Sequence, residues 1–171
     1  MHWNYDLEGL VMPMHRNIAR ALIDAGVSGV VGSHSHVPQG AEMYKGKPIV
    51  YGLGNFYLPS GIYFDGKLKY PESSTHTYAL QIKDDTCHIL WFRTDCNGSV
   101  VEYECREPIS GERIQQLSAF TEMSDAEYIS YFKENRTKKL LVPVFVEYKG
   151  LKHRLQESFA INRVRMLRSI M

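Results

Sequence analysis

This chain has no stretch approaching the run of about 18 apolar residues that spans a bilayer. No charged-then-apolar leader opens it either, so it is expected to stay in solution. Cysteine is scarce. Cys87, Cys96 and Cys105 are odd in number and lack a C-x-x-C pair, which argues against a disulfide framework and against a structural zinc site. They fall in β-like runs and are expected to pack as small hydrophobes. An excess of one charge is missing too. Twenty Lys and Arg face 19 Asp and Glu, a net charge of +1, so nothing electrostatic points to nucleic acid or an acidic polymer. The basic residues that gather near the end (Lys149, Lys152, His153, Arg154, Arg163, Arg165 and Arg168) read as the solvated face of a helix. Internal repeats and low-complexity segments are absent. The remaining reading is a reduced, soluble, most simply cytoplasmic chain. Its 171 residues, 44% hydrophobic and 23% charged, suffice for one domain with a sizeable core.

Residues 13–25 carry a helical signature. Pro13 stands near the start, Ile18, Ala21, Leu22 and Ala25 share a face, and Gly26 follows as a stop. Val27 to Val31 reads as a short strand. Ala41 to Tyr44 and Pro48 to Tyr51 flank Lys45-Gly46-Lys47 as a hairpin. Residues 57–74, rich in Gly, Pro, Tyr and Ser, read as a surface loop. Three strands follow at Thr77–Ile82, Thr86–Thr94 and Val100–Arg106, turned by Asp84-Asp85 and Asn97-Gly98. The last third is helical in character: Ile114–Phe120, Ala126–Phe132 and, beyond Pro143 and Gly150, Leu151–Met171. The order is α/β or α+β.

The run Gly32-Ser33-His34-Ser35-His36 carries the chemistry. Histidines at i and i+2 project to one side of an extended segment. At the mouth of a buried strand they can present two imidazole nitrogens to a metal or a metal pair. A core does not need such a pair, since apolar residues fill it without a hydrogen-bonding cost. The alternative is that backbone groups satisfy both rings. His15 is expected on the polar face of its helix, and His76 and His88 as structural residues in β runs. Glu42 is a candidate site lining. Asn55, in Gly54-Asn55-Phe56, is either a site residue or a turn cap. Tyr57 and Tyr63 could pack on a sugar or polymer chain or cover a core edge.

Several motifs in order resemble the capsule and poly-γ-glutamate biosynthesis proteins of the CapA/PgsA type. They are Ala19-Arg20-Ala21-Leu22-Ile23-Asp24-Ala25-Gly26, then Val30-Val31-Gly32-Ser33-His34-Ser35-His36-Val37-Pro38-Gln39-Gly40, then Tyr44-Lys45-Gly46-Lys47-Pro48-Ile49-Val50-Tyr51-Gly52-Leu53-Gly54-Asn55-Phe56. His2-Trp3 looks like that family's His-Trp-Gly motif, with Asn4 where glycine is usual, a change Asn tolerates because it accepts left-handed backbone angles. The resemblance is close over residues 1–60 and looser over 76–106. It implies the C-terminal half of a calcineurin-like metallophosphoesterase sandwich of two sheets, over residues 1–107, with a helical tail at 108–171.

The resemblance further implies roles. His34 and His2 would serve one metal ion and His36 its neighbour, with His34 and His36 catalytic and Asp6 and Asn55 facing substrate. Mn, Fe or Zn would suit neutral imidazoles. The family's upstream Asp and Gly-Asn-His motifs would precede His2, and they supply the bridging carboxylate. Residues 1–171 are therefore expected to hold a divalent ion weakly and to lack phosphoester turnover by themselves. A missing N-terminal half or partner chain, or self-association into a homo-oligomer, would cover the exposed sheet edge. Leu155, Phe159, Val164 and Leu167 offer another cover. The substrate implied is a phosphorylated or polyanionic envelope precursor. A non-catalytic scaffold or polymer-binding subunit of an envelope polymer machine is the alternative, and the parent family is often envelope-associated.

Overall fold

The computed structural model describes residues 1–58, 71–95 and 100–137, with Val144 and scattered helical positions between Gly150 and Met166. The architecture is mixed α/β, built on two small sheets. Helix α1 (Pro13–Asp24) leads into β1 (Val30–Val31), β2 (Ala41–Tyr44) and β3 (Lys47–Val50). In the first sheet β3 is central, parallel to β1 and antiparallel to β2. The β2–β3 hairpin turns through Lys45 (φ 49°) and Gly46 (φ 74°), the left-handed pair whose twist matches the flanking strands. The second sheet is an antiparallel meander of β4 (His76–Lys83), β5 (Thr86–Thr94) and β6 (Val100–Pro108). Asp84 and Asp85 form the β4–β5 turn with φ 48° and 60°. Leu53 joins the sheets, since its carbonyl accepts from Tyr78 N at 2.9 Å while Gly54 bridges Thr77.

Two clusters make the core. Trp3, Val11, Ala19, Ile49, Tyr51, Phe120, Tyr128 and Phe132 pack between α1, the first sheet and the later helices. Ala41, Val50, Tyr78, Ile89, Trp91 and Ile114 pack between the two sheets and α2 (Glu112–Gln116). Helix α3 (Asp125–Asn135) starts with a reciprocal capping box between Ser124 and Glu127. It is fastened to α1 by Arg16, which is 1% exposed, pairs with Asp125 at 2.5 Å, and donates to the carbonyl of Phe120 at 2.7 Å.

Several expectations need correction. The fully buried positions of α1 are Pro13, Arg16, Ala19 and Ile23; of the expected stripe, Ile18 and Leu22 pack partly buried against the core, while Ala21 and Ala25 are exposed. Arg16 is accommodated on the inward face because the carbonyls of Phe120 and Met123 and the Asp125 carboxylate accept from it there. Only Val30–Val31 of the first strand pairs. The helix expected over Ile114–Phe120 breaks after Gln116, and Ala119–Glu122 forms a 3₁₀ turn. The reason is that Ser118 Oγ accepts from Ala41 N and donates to Ile114 O, tying the chain to β2. Cys87 is half-buried but Cys105 is exposed, on the solvent side of the edge strand β6. The Asn97-Gly98 turn, Cys96, Tyr63, Pro143, Val164 and Leu167 lie outside the described residues. Leu155 and Phe159 are helical and remain 62% and 70% exposed.

Candidate functional site

Two segments about thirty residues apart in sequence lie side by side and build the site. His2 pairs in parallel with Ser33. Trp3 N donates to Ser33 O at 3.1 Å, and Leu7 N to Ser35 O at 2.7 Å. The Trp3 indole is buried and donates to Tyr51 O at 2.8 Å. Gly32 lets this contact form, because a Cβ there would lie 2.1 Å from Tyr51 O and 2.2 Å from Trp3 Nε1. Asn4 completes the strap with φ 71°, accepting from Met12 N at 3.0 Å and donating to Gln39 Oε1 at 2.8 Å.

This scaffold brings the three histidines together. The His2 and His34 ring centres are 4.3 Å apart, and those of His34 and His36 are 5.9 Å apart. His2 is exposed and the other two are half-buried. The backbone is not the extended segment expected from the i, i+2 spacing. His34 sits at φ 102° and His36 at φ 58°, so the rings meet through left-handed turns. Such backbone costs on the order of 1–3 kcal/mol per residue and gathers at functional sites. The Asp6 carboxylate reaches the same corner, Oδ1 lying 3.6 Å from His36 Nε2. Asn55, buried at the end of the β3 exit, contacts His36 twice: Oδ1 meets Nδ1 at 2.7 Å, and Nδ2 donates to the His36 carbonyl at 3.0 Å.

The donor types suit a borderline divalent cation, but their positions do not form a finished site. Among the described residues no group of three or more His, Cys, Asp and Glu is arranged to hold a metal ion. The His2 and His34 rings contact each other at 4.3 Å with their planes tilted by 44°.

Other candidates fall away from the corner. Glu42 is buried under α1, where Arg20 grips it through Nε at 3.1 Å and Nη2 at 2.6 Å and the Tyr51 hydroxyl donates at 2.7 Å. Burial and that carboxylate push the Tyr51 phenol far above its ordinary range. His15 is not solvated. It stacks on Trp3 at 5.2 Å, accepts from Asn4 N, and burial lowers its pKa to about 4. Tyr57 is exposed.

A cleft of about 420 Å³ opens beside the corner, from Leu7 and Val37 across to His76, Trp91 and Arg113. The Arg113 guanidinium lies 4.0 Å over the Trp91 ring and pairs with Glu104 at 2.7 Å. Sequence reasoning assigned Arg113 nothing. Its partners sit on two other elements, β5 and β6, so no local spacing marks it.

Residues 1–60 match the family described as bacterial capsule synthesis protein PGA_cap. Among curated proteins, the capsule biosynthesis protein CapA of Bacillus anthracis is 38% identical over 60 residues, 35% of this chain and 15% of that protein. The PGA biosynthesis protein CapA of Bacillus subtilis (strain 168) is 40% identical over 60 residues, covering 35% and 16%. A probable polyglutamine synthesis accessory protein of Mycobacterium tuberculosis is 44% identical over 55 residues, covering 32% and 14%. The match thus spans about one-sixth of the length of these relatives. It contains the histidine corner whole, from His2 through His34 and His36 to Asn55. Over residues 1–60, and within that part alone, the chain is thus similar to bacterial capsule and PGA synthesis proteins of the CapA type.

Proposed function

We propose that this chain works in the biosynthesis of a capsule or poly-γ-glutamate type polymer, and that the corner of His2, His34, His36 and Asp6 is its working site. The carrying observation is the meeting of His2 with His34, 32 positions later, on left-handed backbone at His34 and His36. Packing alone gives no reason to place imidazoles there. The substrate in this reading is a phosphorylated or polyanionic envelope precursor. The cleft from Leu7 to Arg113 offers it a course away from the corner.

A divalent ion such as Mn, Fe or Zn enters this proposal as a weakly held ligand. Three neutral imidazoles bring no compensating charge and Asp6 brings one. In a related two-metal site such ions polarise a phosphoryl group and generate hydroxide. His2, His34, His36 and Asp6 are the residues of this chain that would hold such an ion, and turnover would need further carboxylates. Calorimetric titration with Mn or Zn should give at best micromolar-class affinity, lost in His34→Ala. Tight, stoichiometric uptake of two ions contradicts the weak-site reading. Uptake unaffected by His34→Ala contradicts the assignment of the corner.

A second reading is favoured by a separate feature. Leu151, Leu155 and Phe159 follow helical i, i+4 spacing and are 73%, 62% and 70% exposed. Such a stripe suits a second copy or another chain of the same synthesis machine, with the protein acting as a scaffold. Sedimentation at micromolar concentration tests this, and a monomer would count against it.

A further inference from the structure

The two contacts of Asn55 with His36 determine more than position. The His36 backbone carbonyl can only accept, so the Asn55 group 3.0 Å from it must be the NH₂ end. The reverse orientation would set two oxygens against each other. The amide oxygen is then the atom 2.7 Å from His36 Nδ1, and it too can only accept. Nδ1 must therefore carry the hydrogen. In neutral imidazole one nitrogen donates and the other accepts, so the lone pair falls on Nε2. We infer that Asn55 is a positioning residue that locks neutral His36 in the Nδ1–H tautomer, making Nε2 a lone-pair donor.

This restricts what His36 can meet. Nε2 faces Asp6 Oδ1 at 3.6 Å, beyond a hydrogen bond. Both atoms offer electron pairs toward the gap between them. The pair suits a cation or the hydrogen of a proton donor, since neither atom can itself donate to a phosphate or carboxylate oxygen. His36 Nε2 is therefore an electron-pair donor of the corner. The same lock fixes ring orientation, as a second partner on the far nitrogen does for metal-binding histidines in general. The tautomer stands on geometry alone, whereas its use for a cation rests on the function proposed above.

The test is long-range ¹⁵N–¹H correlation of the imidazoles in the protein without added ligand, at mildly alkaline pH where histidine is neutral. His36 should show a protonated Nδ1 and a bare Nε2, against the usual preference of free histidine for Nε2–H. In Asn55→Ala the ring should revert to Nε2–H or a mixture. Asn55→Leu, close in size but without an acceptor for Nδ1, should lose the Nδ1–H form in the same way. Unchanged resonances of His15 and His88 report that the variants remain folded. A wild-type His36 with hydrogen on Nε2 overturns the inference, whatever the variants do. An Nδ1–H tautomer that survives Asn55→Ala removes Asn55 as its cause. If the tautomer is found but neither Mn nor Zn binds, the proposed cation role fails and the lock stands.

Discussion

Replacing His34 by glycine and by alanine separates backbone strain from side-chain chemistry. At φ 102° any Cβ is crowded against the main chain. Both variants lose the same ring contacts with His2 and His36, so the difference between them cancels those contacts. Alanine keeps the strain, on the order of 1–2 kcal/mol for an L-residue in this region. Glycine relieves it but gives back about 0.5–1 kcal/mol through the greater freedom of the unfolded chain. The expected balance is His34→Gly more stable than His34→Ala by about 0.5–1 kcal/mol, the reverse of their order in a helix or strand. For a domain of this size 1 kcal/mol shifts Tm by roughly 2–4 °C. Urea unfolding followed by Trp fluorescence reads it as a higher midpoint at unchanged slope. An alanine variant as stable as the glycine variant, or more so, would mean that His34 carries no backbone strain. The argument from strain to function would then fall.

His15 gives a pH dependence. Its folded pKa, about 4, lies below the ordinary value of 6.5, so the unfolded chain binds the extra proton between these limits. Stability should be level above pH 6.5 and fall by about 3 kcal/mol as pH drops toward 4. Urea midpoints of His15→Gln across that window should lack this slope. Arg16→Ala strands the carbonyls of Phe120 and Met123 in the core and should cost about 3–5 kcal/mol. Asp125→Ala removes the counter-charge of the buried Arg16 but leaves it both carbonyl acceptors, and should cost less, about 1–3 kcal/mol. Chemical denaturation ranks the two, and equal costs contradict the buried-cation account. Gly32→Ala should lose about 3 kcal/mol or fail to fold, since its Cβ meets two fixed groups, a backbone carbonyl and the buried Trp3 indole.

The strands were legible where local chemistry determines them. Lys45-Gly46 and Asp84-Asp85 turn as their types require, and the flanking β-rich runs pair around them. The histidine corner was legible as a set of residues, through motif order. Its backbone was not, because the φ values at His34 and His36 are imposed by Leu7 and Trp3 pairing with Ser35 and Ser33 across the corner. The inward face of α1 was misread because a buried arginine looks polar in sequence. Only the carbonyls near Phe120, more than a hundred residues away, make Arg16 a core residue. The same distance hid the packing of Tyr128 and Phe132 against Trp3 and Val11. Arg113 and Asn55 show the two extremes. Nothing near Arg113 in sequence announces Trp91 or Glu104, whereas Asn55 stood at a marked turn and lacked only its partner.

The most direct test of the histidine corner as working site is to titrate the intact chain with Zn while following every imidazole resonance. The account predicts that His2, His34 and His36 shift together along one saturating curve with a micromolar-class midpoint. His15, stacked on Trp3, and His88, in β5, should stay still. Shifts confined to a single histidine, or spread over all of them without saturation, would contradict it.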